Sequence, residues 1–237
     1  MNKVLNKKTR FIDLGLMDYQ QAWDYQTSLF QSILEVKTAN RTTTEQLSTT
    51  NYLLFCEHPH VYTLGKSGEE QNLLFKKEAL HTIGASYYHI NRGGDITYHG
   101  PGQLVVYPVL DLENFFTDIH RYMRLLEEAV IQTLQDFEIK AGRISGLTGV
   151  WLDNNHTTLA RKICALGVKT SRWVTMHGLA FNVNVNLDYF AHIVPCGIAD
   201  KAVTSMEKEL GTAQDFELVK RVLKEKLITN FEMEIFY

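Results

Sequence analysis

Four segments of the sequence concentrate side chains able to bind or transfer a chemical group. The densest is Arg92 to Gln103, RGGDITYHGPGQ. Gly93, Gly94, Gly100, Pro101 and Gly102 supply backbone freedom or a fixed bend, so amides there can approach a ligand without an intervening side chain. Arg92, Thr97, Tyr98 and His99 add donors suited to a carbonyl or phosphate oxygen, although the same spacing fits a tight turn between two strands. The segment matches neither the Walker phosphate loop nor GxGxxG, so no nucleotide is implied. The second segment centres on Lys162 in ARKICALG. With Thr158 to Val168 as a strand, Ala160, Lys162, Cys164 and Leu166 share one face. A lysine among small apolar residues is costly unless paired or employed, whereas the opposite register turns it to solvent. The third, Thr175 to Asn184 (TMHGLAFNVN), alternates like a strand, and His177-Gly178 breaks it where a ligand or another backbone could come close. His177 alone reads as a hydrogen-bonded structural histidine. In the fourth, IVPCGI, Pro195 fixes the backbone before Cys196 and Gly197 leaves it open afterwards. That context suits a nucleophile, while a lone cysteine is commonly a buried small hydrophobe.

These segments need elements to hold them. Three helices are predicted by period: Asp18 to Val36 with Asp18 as cap, Ile119 to Phe137 with a Met123, Leu126, Val130, Leu134 stripe, and Asp215 to Thr229. Strands are predicted at Tyr52 to Cys56, Tyr87 to Ile90, Gln103 to Leu110, Val150 to Leu152, Thr158 to Val168 and Trp173 to Val185. The polar stretch Thr38 to Asn51 reads as a surface loop. Helices are few and irregularly placed among the strands, which predicts an α+β domain whose mixed or largely antiparallel sheet carries packed helices. A single domain over 1–237 is expected, with a possible small extension at 212–237.

Composition narrows the function classes. The 237 residues include 45% hydrophobic and 22% charged, with a formal net charge of -3. That is the balance of a soluble globular protein, and not the basic footprint of a nucleic-acid binder. The amino-terminal stretch has no apolar run long enough for a signal peptide, and the run around Leu104 to Leu110 is too short to cross a bilayer. Three cysteines, Cys56, Cys164 and Cys196, make an odd number without metal-ligand spacing, pointing to a reducing, cytoplasmic setting and no structural metal.

Taken together, the four segments resemble the octanoyltransferases of lipoic acid synthesis (lipoyl/octanoyl-[acyl-carrier-protein]:protein N-transferases). The family pattern RGGxxTYHGPGQ stands unbroken at Arg92 to Gln103, RKI…G at Arg161 to Gly167, HGLAxN at His177 to Asn182 and PCGI at Pro195 to Ile198. EHPHVYTLG, Glu57 to Gly65, is similar to the family's early strand-turn segment. The resemblance implies the fold shared by lipoate- and biotin-protein ligases. It makes Cys196 the acyl-thioester nucleophile and Lys162 its activating partner. It also lines the acyl pocket with Arg92, Gly93, Gly94, Asp95, Ile96, Thr97, Tyr98, His99, Ala165, Leu166, Gly167, Gly178, Leu179 and Ala180. The implied donor is octanoyl-acyl carrier protein. The implied acceptors are lysines of lipoyl domains in 2-oxoacid dehydrogenases and of the glycine cleavage H protein. No cofactor, nucleic acid or membrane is implied, and thioester-to-amide chemistry runs downhill without ATP. Cys164, on the expected face of Lys162, is the rival nucleophile. Two other readings are an ATP-dependent ligase on the same fold, which activates a free acid, and a non-catalytic binder of acyl groups or lipoyl domains.

Overall fold

The computed structural model describes residues 6–44, 46–156, 158–194 and 202–237. Cys196, with the rest of PCGI, lies outside the described residues.

The core is built on β2 (Asn51–Glu57), β6 (Gln103–Val109) and β10 (Val174–Asn182), which are adjacent and antiparallel. All seven residues of β6 and all nine of β10 are buried, because helices cover both faces of the sheet. Alternation then sorts the side chains. Leu53, Phe55, Leu104 and Val106 pack on one side with α2 (Ile119–Asp136) and α4 (Phe216–Phe231). Leu54, Cys56, Val105 and Tyr107 pack on the other against Ala22, Phe30 and Ile33 of α1 (Tyr19–Ala39). The helix starts follow cap chemistry. Asp18 accepts from the amides of Gln20 and Gln21, Asp118 from Arg121, and Asp215 from Leu218.

β9 (Arg161–Ser171) continues the sheet beside β10, followed by β8 (Leu147–Leu152) and β7 (Gly142–Ile144), each antiparallel to its neighbour. β11 (Ala202–Val203) runs parallel to the start of β9, pairing Val203 with Lys162. On the far side β1 (Lys8–Leu16) lies parallel to β2, with α1 as crossover. β12 (Glu234–Phe236) pairs parallel with β1, so 216–236 belongs to the sheet layer and its helical cover. The expected mixed sheet with packed helices is the observed architecture. Between β11 and α4 lies the short helix α3 (Met206–Leu210).

A second sheet joins β4 (Ser86–His89), β3 (Val61–Leu64) and β5 (Ile96–His99). Its cluster includes Tyr62, Leu80 and Tyr98, together with Ile193 and the flanking Tyr189 and Phe190. His60, Tyr98 and Tyr189 stack nearly parallel, and Tyr98 Oη bonds His60 Nδ1 at 2.7 Å. This stack ties the turn at Leu187–His192 to the small sheet.

Candidate active site

A cavity of about 590 Å³ opens between the β4–β5 connection and strands β9 and β10. The connection is hung on neighbouring backbone: the Lys66 amide donates to Arg92 O, and the Gly93 amide to Val168 O at 3.0 Å. Arg92 is buried, its guanidinium donating to Thr63 O at 2.7 Å, Thr63 Oγ1 at 3.0 Å and Gly93 O at 3.1 Å. That fork fixes a positive charge at the cavity wall. The connection crosses β9 at Gly167, where a Cβ would sit 2.9 Å from Gly93 O and 3.1 Å from Arg92 Cδ. Only glycine admits so close a crossing.

Of the residues anticipated from sequence, Arg92, Gly93, Gly94, Asp95, Ile96, Thr97 and His99 line the cavity from the connection and β5. Lys162, Ala165, Leu166 and Gly167 line it from β9, and Gly178, Leu179 and Ala180 from β10. Tyr98 does not; it is fully buried in the small-sheet cluster, on the opposite face of β5 from its neighbours Thr97 and His99. The expected shared face of Lys162 and Cys164 is also absent. Val150 pairs with Cys164 but Trp151 with Lys162, so β9 takes two steps against one step of β8. This bulge breaks alternation, and Ile163 and Cys164 both enter the core while Lys162 lines the cavity. Burial drives the Cys164 thiol pKa well above its ordinary range, and the nearby Glu127 carboxylate adds to the rise. Burial likewise pushes Cys56 up to about 12. Neither thiol is a ready nucleophile at neutral pH.

Lys162 Nζ lies 4.6 Å from the centroid of Trp151, a cation–π contact inside the cavity. A Cβ on Gly149 would meet Lys162 Cε at 3.2 Å and Trp151 Nε1 at 3.4 Å, so the glycine makes room for this pair. The Gly149 amide donates to the buried Glu127 carboxylate at 3.0 Å, tying this part of β8 to α2.

Trp151, Tyr107, Gln103, Asn182 and Met123 also line the cavity, and the sequence motifs assign them no role. The available signal was a polar residue closing each of two motifs otherwise running into apolar strands. Gln103 and Asn182 are 1% and 3% exposed and bond each other at 2.9 Å. His177 adopts φ 63° within β10, an uncommon conformation for a non-glycine residue. Its amide donates to Gln26 Oε1 at 3.2 Å.

The two cavity imidazoles are neutral. Burial lowers the pKa of His99 to about 3, helped by His58 and Arg92, and lowers His177 to about 3, helped by Arg92 and Lys169. Among the described residues, the cationic side chains lining the cavity are Arg92 and Lys162, and the carboxylate there is Asp95. Asp95 accepts from the Ile96 amide at 2.6 Å and from Asn72 Nδ2 at 2.6 Å. Such a wall suits an acyl group whose carbonyl oxygen gains negative charge. Among the described residues no group of three or more acidic, histidine or cysteine side chains could hold a metal, and no helix is long and apolar enough to cross a membrane.

Residues 18–228 match the family described as the lipoyl protein ligase A/B catalytic domain. An octanoyltransferase of Cytophaga hutchinsonii is 60% identical over 237 residues, covering 99% of this chain and 97% of that protein. One from Flavobacterium johnsoniae is 58% identical over 232 residues, covering 98% and 100%. In three dimensions the chain resembles a bipartite lipoate protein ligase of Thermoplasma acidophilum, with TM-score 0.68 and 17% identity over 97% of this chain and 86% of that one. It also resembles a lipoate-protein ligase A bound with ATP, with TM-score 0.66 and 17% identity over 97% and 90%; at such identity the likeness is one of fold. With three of its motifs, Arg92 to Gln103, Arg161 to Gly167 and His177 to Asn182, set around one cavity and a near-complete match to these relatives, the chain belongs to the octanoyltransferases, within the lipoyl protein ligase A/B catalytic domain family.

Proposed function

We propose that this octanoyltransferase of lipoate biosynthesis carries its acyl group on Cys196 and releases it to a protein lysine, with Lys162 managing the proton in both halves. The observation that supports this most is the place of Lys162. It stands in the cavity against Trp151, and it pairs through β11 with Val203, a lining residue that follows the PCGI motif in sequence.

A free cysteine thiol has a pKa near 8.5, so only a few per cent is thiolate at neutral pH. An ammonium beside it favours the thiolate. In the first half-reaction the Cys196 thiolate attacks the thioester carbonyl of octanoyl-acyl carrier protein. The C–S bond to the carrier breaks, and its sulfur takes the Lys162 proton, leaving S-octanoyl Cys196 and neutral Lys162. In the second, the amine of a lipoyl-domain lysine attacks the acyl carbon and gives a proton to Lys162, while the C–S bond to Cys196 breaks. Thiolate and ammonium are restored, and no ATP is consumed. The acceptors in this reading are lipoyl domains of 2-oxoacid dehydrogenases and the glycine cleavage H protein. The setting is the cytoplasm, where a free thiol persists.

Intact-mass measurement after incubation with octanoyl-acyl carrier protein tests the reading. Wild type should gain one hydroxylamine-labile octanoyl group and Cys196→Ala none, while Cys164→Ala gains it as wild type does. Amide formation without any adduct, or formation from free octanoate plus ATP, would end the Cys196 mechanism.

A further inference from the structure

Gln103 and Asn182 close two motifs whose acyl-transfer chemistry gives these residues no task, and both are buried. Their hydrogen bonds have one consistent direction, set by backbone at the ends. Asn182 Nδ2 donates to the Thr204 carbonyl at 2.9 Å, so Asn182 Oδ1 accepts the 2.9 Å bond from Gln103 Nε2. Gln103 Nε2 also donates to the Tyr98 carbonyl, at 3.2 Å. Both Gln103 amide hydrogens are therefore spent, and Gln103 Oε1 is what meets His99 Nδ1 at 2.8 Å. An amide oxygen cannot donate, so His99 Nδ1 carries the hydrogen, and in the neutral ring Nε2 holds the lone pair.

Two further contacts hold that arrangement. The ring of His99 stacks on Tyr19 at 5.9 Å with a 10° interplanar angle, and it lies in the lining of the cavity. At the other end of the relay the Thr204 amide donates to the Lys162 carbonyl at 2.9 Å, so the chain of bonds finishes on the strand that carries Lys162. One buried network thus spans β5, β6, β10 and β9.

We propose that Gln103 and Asn182 are positioning residues that hold His99 as the Nδ1–H tautomer, and that its Nε2 lone pair accepts one N–H of the incoming acceptor lysine. This rests on the two-step reading above. In the second step the neutral amine has two hydrogens. One becomes the proton taken by Lys162 as the N–C bond forms and the C–S bond breaks, and the other stays on nitrogen, bonded to His99 Nε2 throughout. His99 orients the nucleophile and neither gains nor loses a proton. The first half-reaction, whose nucleophile is a thiolate, has no hydrogen to offer it. His99 therefore acts on the amine step.

Two measurements test this on the full chain. In imidazole 15N–1H correlation spectra at neutral pH, assigned by difference against His99→Gln, His99 should show a protonated Nδ1 and a bare Nε2. A protonated Nε2, or an imidazolium, overturns the assignment. Separately, S-acylation by octanoyl-acyl carrier protein and transfer from isolated S-octanoyl enzyme to a lipoyl domain are timed as two steps. His99→Leu should slow the second about 100-fold, the cost of a misplaced nucleophile, and the first by less than about tenfold. His99→Gln, whose amide oxygen can stand near the Nε2 position, should recover much of the second step. Equal losses in both steps, or an unimpaired second step in His99→Leu, refute the role. If wild type forms no S-octanoyl enzyme, the Cys196 reading fails by itself, and the spectrum still judges the tautomer.

Discussion

Substituting Gly167 by alanine probes the crossing of the Arg92–Gly94 turn over β9. The added methyl would stand 2.9 Å from Gly93 O and 3.1 Å from Arg92 Cδ. The turn must then retreat by several tenths of an ångström, straining the Gly93 amide bond to Val168 O. Gly167 does not occupy the left-handed region, so alanine fits its backbone. Overpacking costs about 1–3 kcal/mol and the stiffer unfolded chain returns about 0.4–1, leaving a loss between roughly zero and 2.5 kcal/mol. At about 2–4 °C per kcal/mol for a chain of this size, Tm falls by at most about 10 °C. The effect on catalysis is larger, since Arg92 moves with the turn. A misplacement of about 1 Å can cost about 100-fold, so a few tenths should lower kcat/KM by about tenfold. The assay is octanoyl transfer to a lipoyl domain followed by mass spectrometry, beside a thermal melt. Gly84→Ala is the comparator: its φ of 66° makes alanine strained, but nothing lies within 4 Å of the new methyl. It should lower Tm and leave kcat/KM alone. Wild-type kcat/KM in Gly167→Ala would refute the claim that this contact positions Arg92.

The buried neutral imidazoles make stability fall with acid. His99 and His177 are depressed to about 3 and His58 to about 4, so below about pH 6.5 the unfolded chain binds protons that the folded chain refuses. The contribution is complete above pH 6.5 and shrinks as pH falls toward those values, at up to about 4 kcal/mol per pH unit for three rings; a urea midpoint unchanged from pH 7.5 to 5 would contradict it. Trp151→Leu removes a cation–π contact worth about 0.5–2 kcal/mol and should slow S-acylation about two- to thirtyfold, with Trp151→Phe closer to wild type. Equal rates in all three would detach the Trp151 ring from Lys162 function. Thiol alkylation of the folded protein should spare Cys56 and Cys164, both buried, and label them only in denaturant; labelling at equal rates in both conditions would contradict their burial.

The elements legible in the sequence were those whose signal is local. The α1, α2 and α4 stripes recur at helical spacing and begin at Asp18, Asp118 or Asp215, so period and cap agree. Runs such as Gln103–Val109 are apolar on both faces and read as buried strands. β1 and β12 carry no comparable local signal, because β1 pairs with β12 and β2, far along the chain, and the burial of both strands is partial. The bulge at Lys162 was invisible to alternation, since it is defined by the register of β8. Tyr98 shows the limit of a contiguous motif: it lies between Thr97 and His99, which line the cavity, yet its own side chain is buried in the small-sheet cluster. The pairing of Gln103 with Asn182 is a long-range fact, though two buried amides ending two motifs were a clue.

The β1–β12 ladder has a consequence for synthesis. Lys8 faces Glu234 and Arg10 faces Phe236 across it, so this edge of the sheet waits for residues made more than two hundred positions later. At about 5–20 residues per second, β1 spends roughly 10–45 s on the ribosome with one side unpaired. In that interval it is an open template for another nascent chain, and the charges of Lys8 and Arg10, both exposed, act as gatekeepers against such pairing. The same ladder joins strands more than two hundred positions apart, so this sheet edge contributes to a slow, topologically non-local fold.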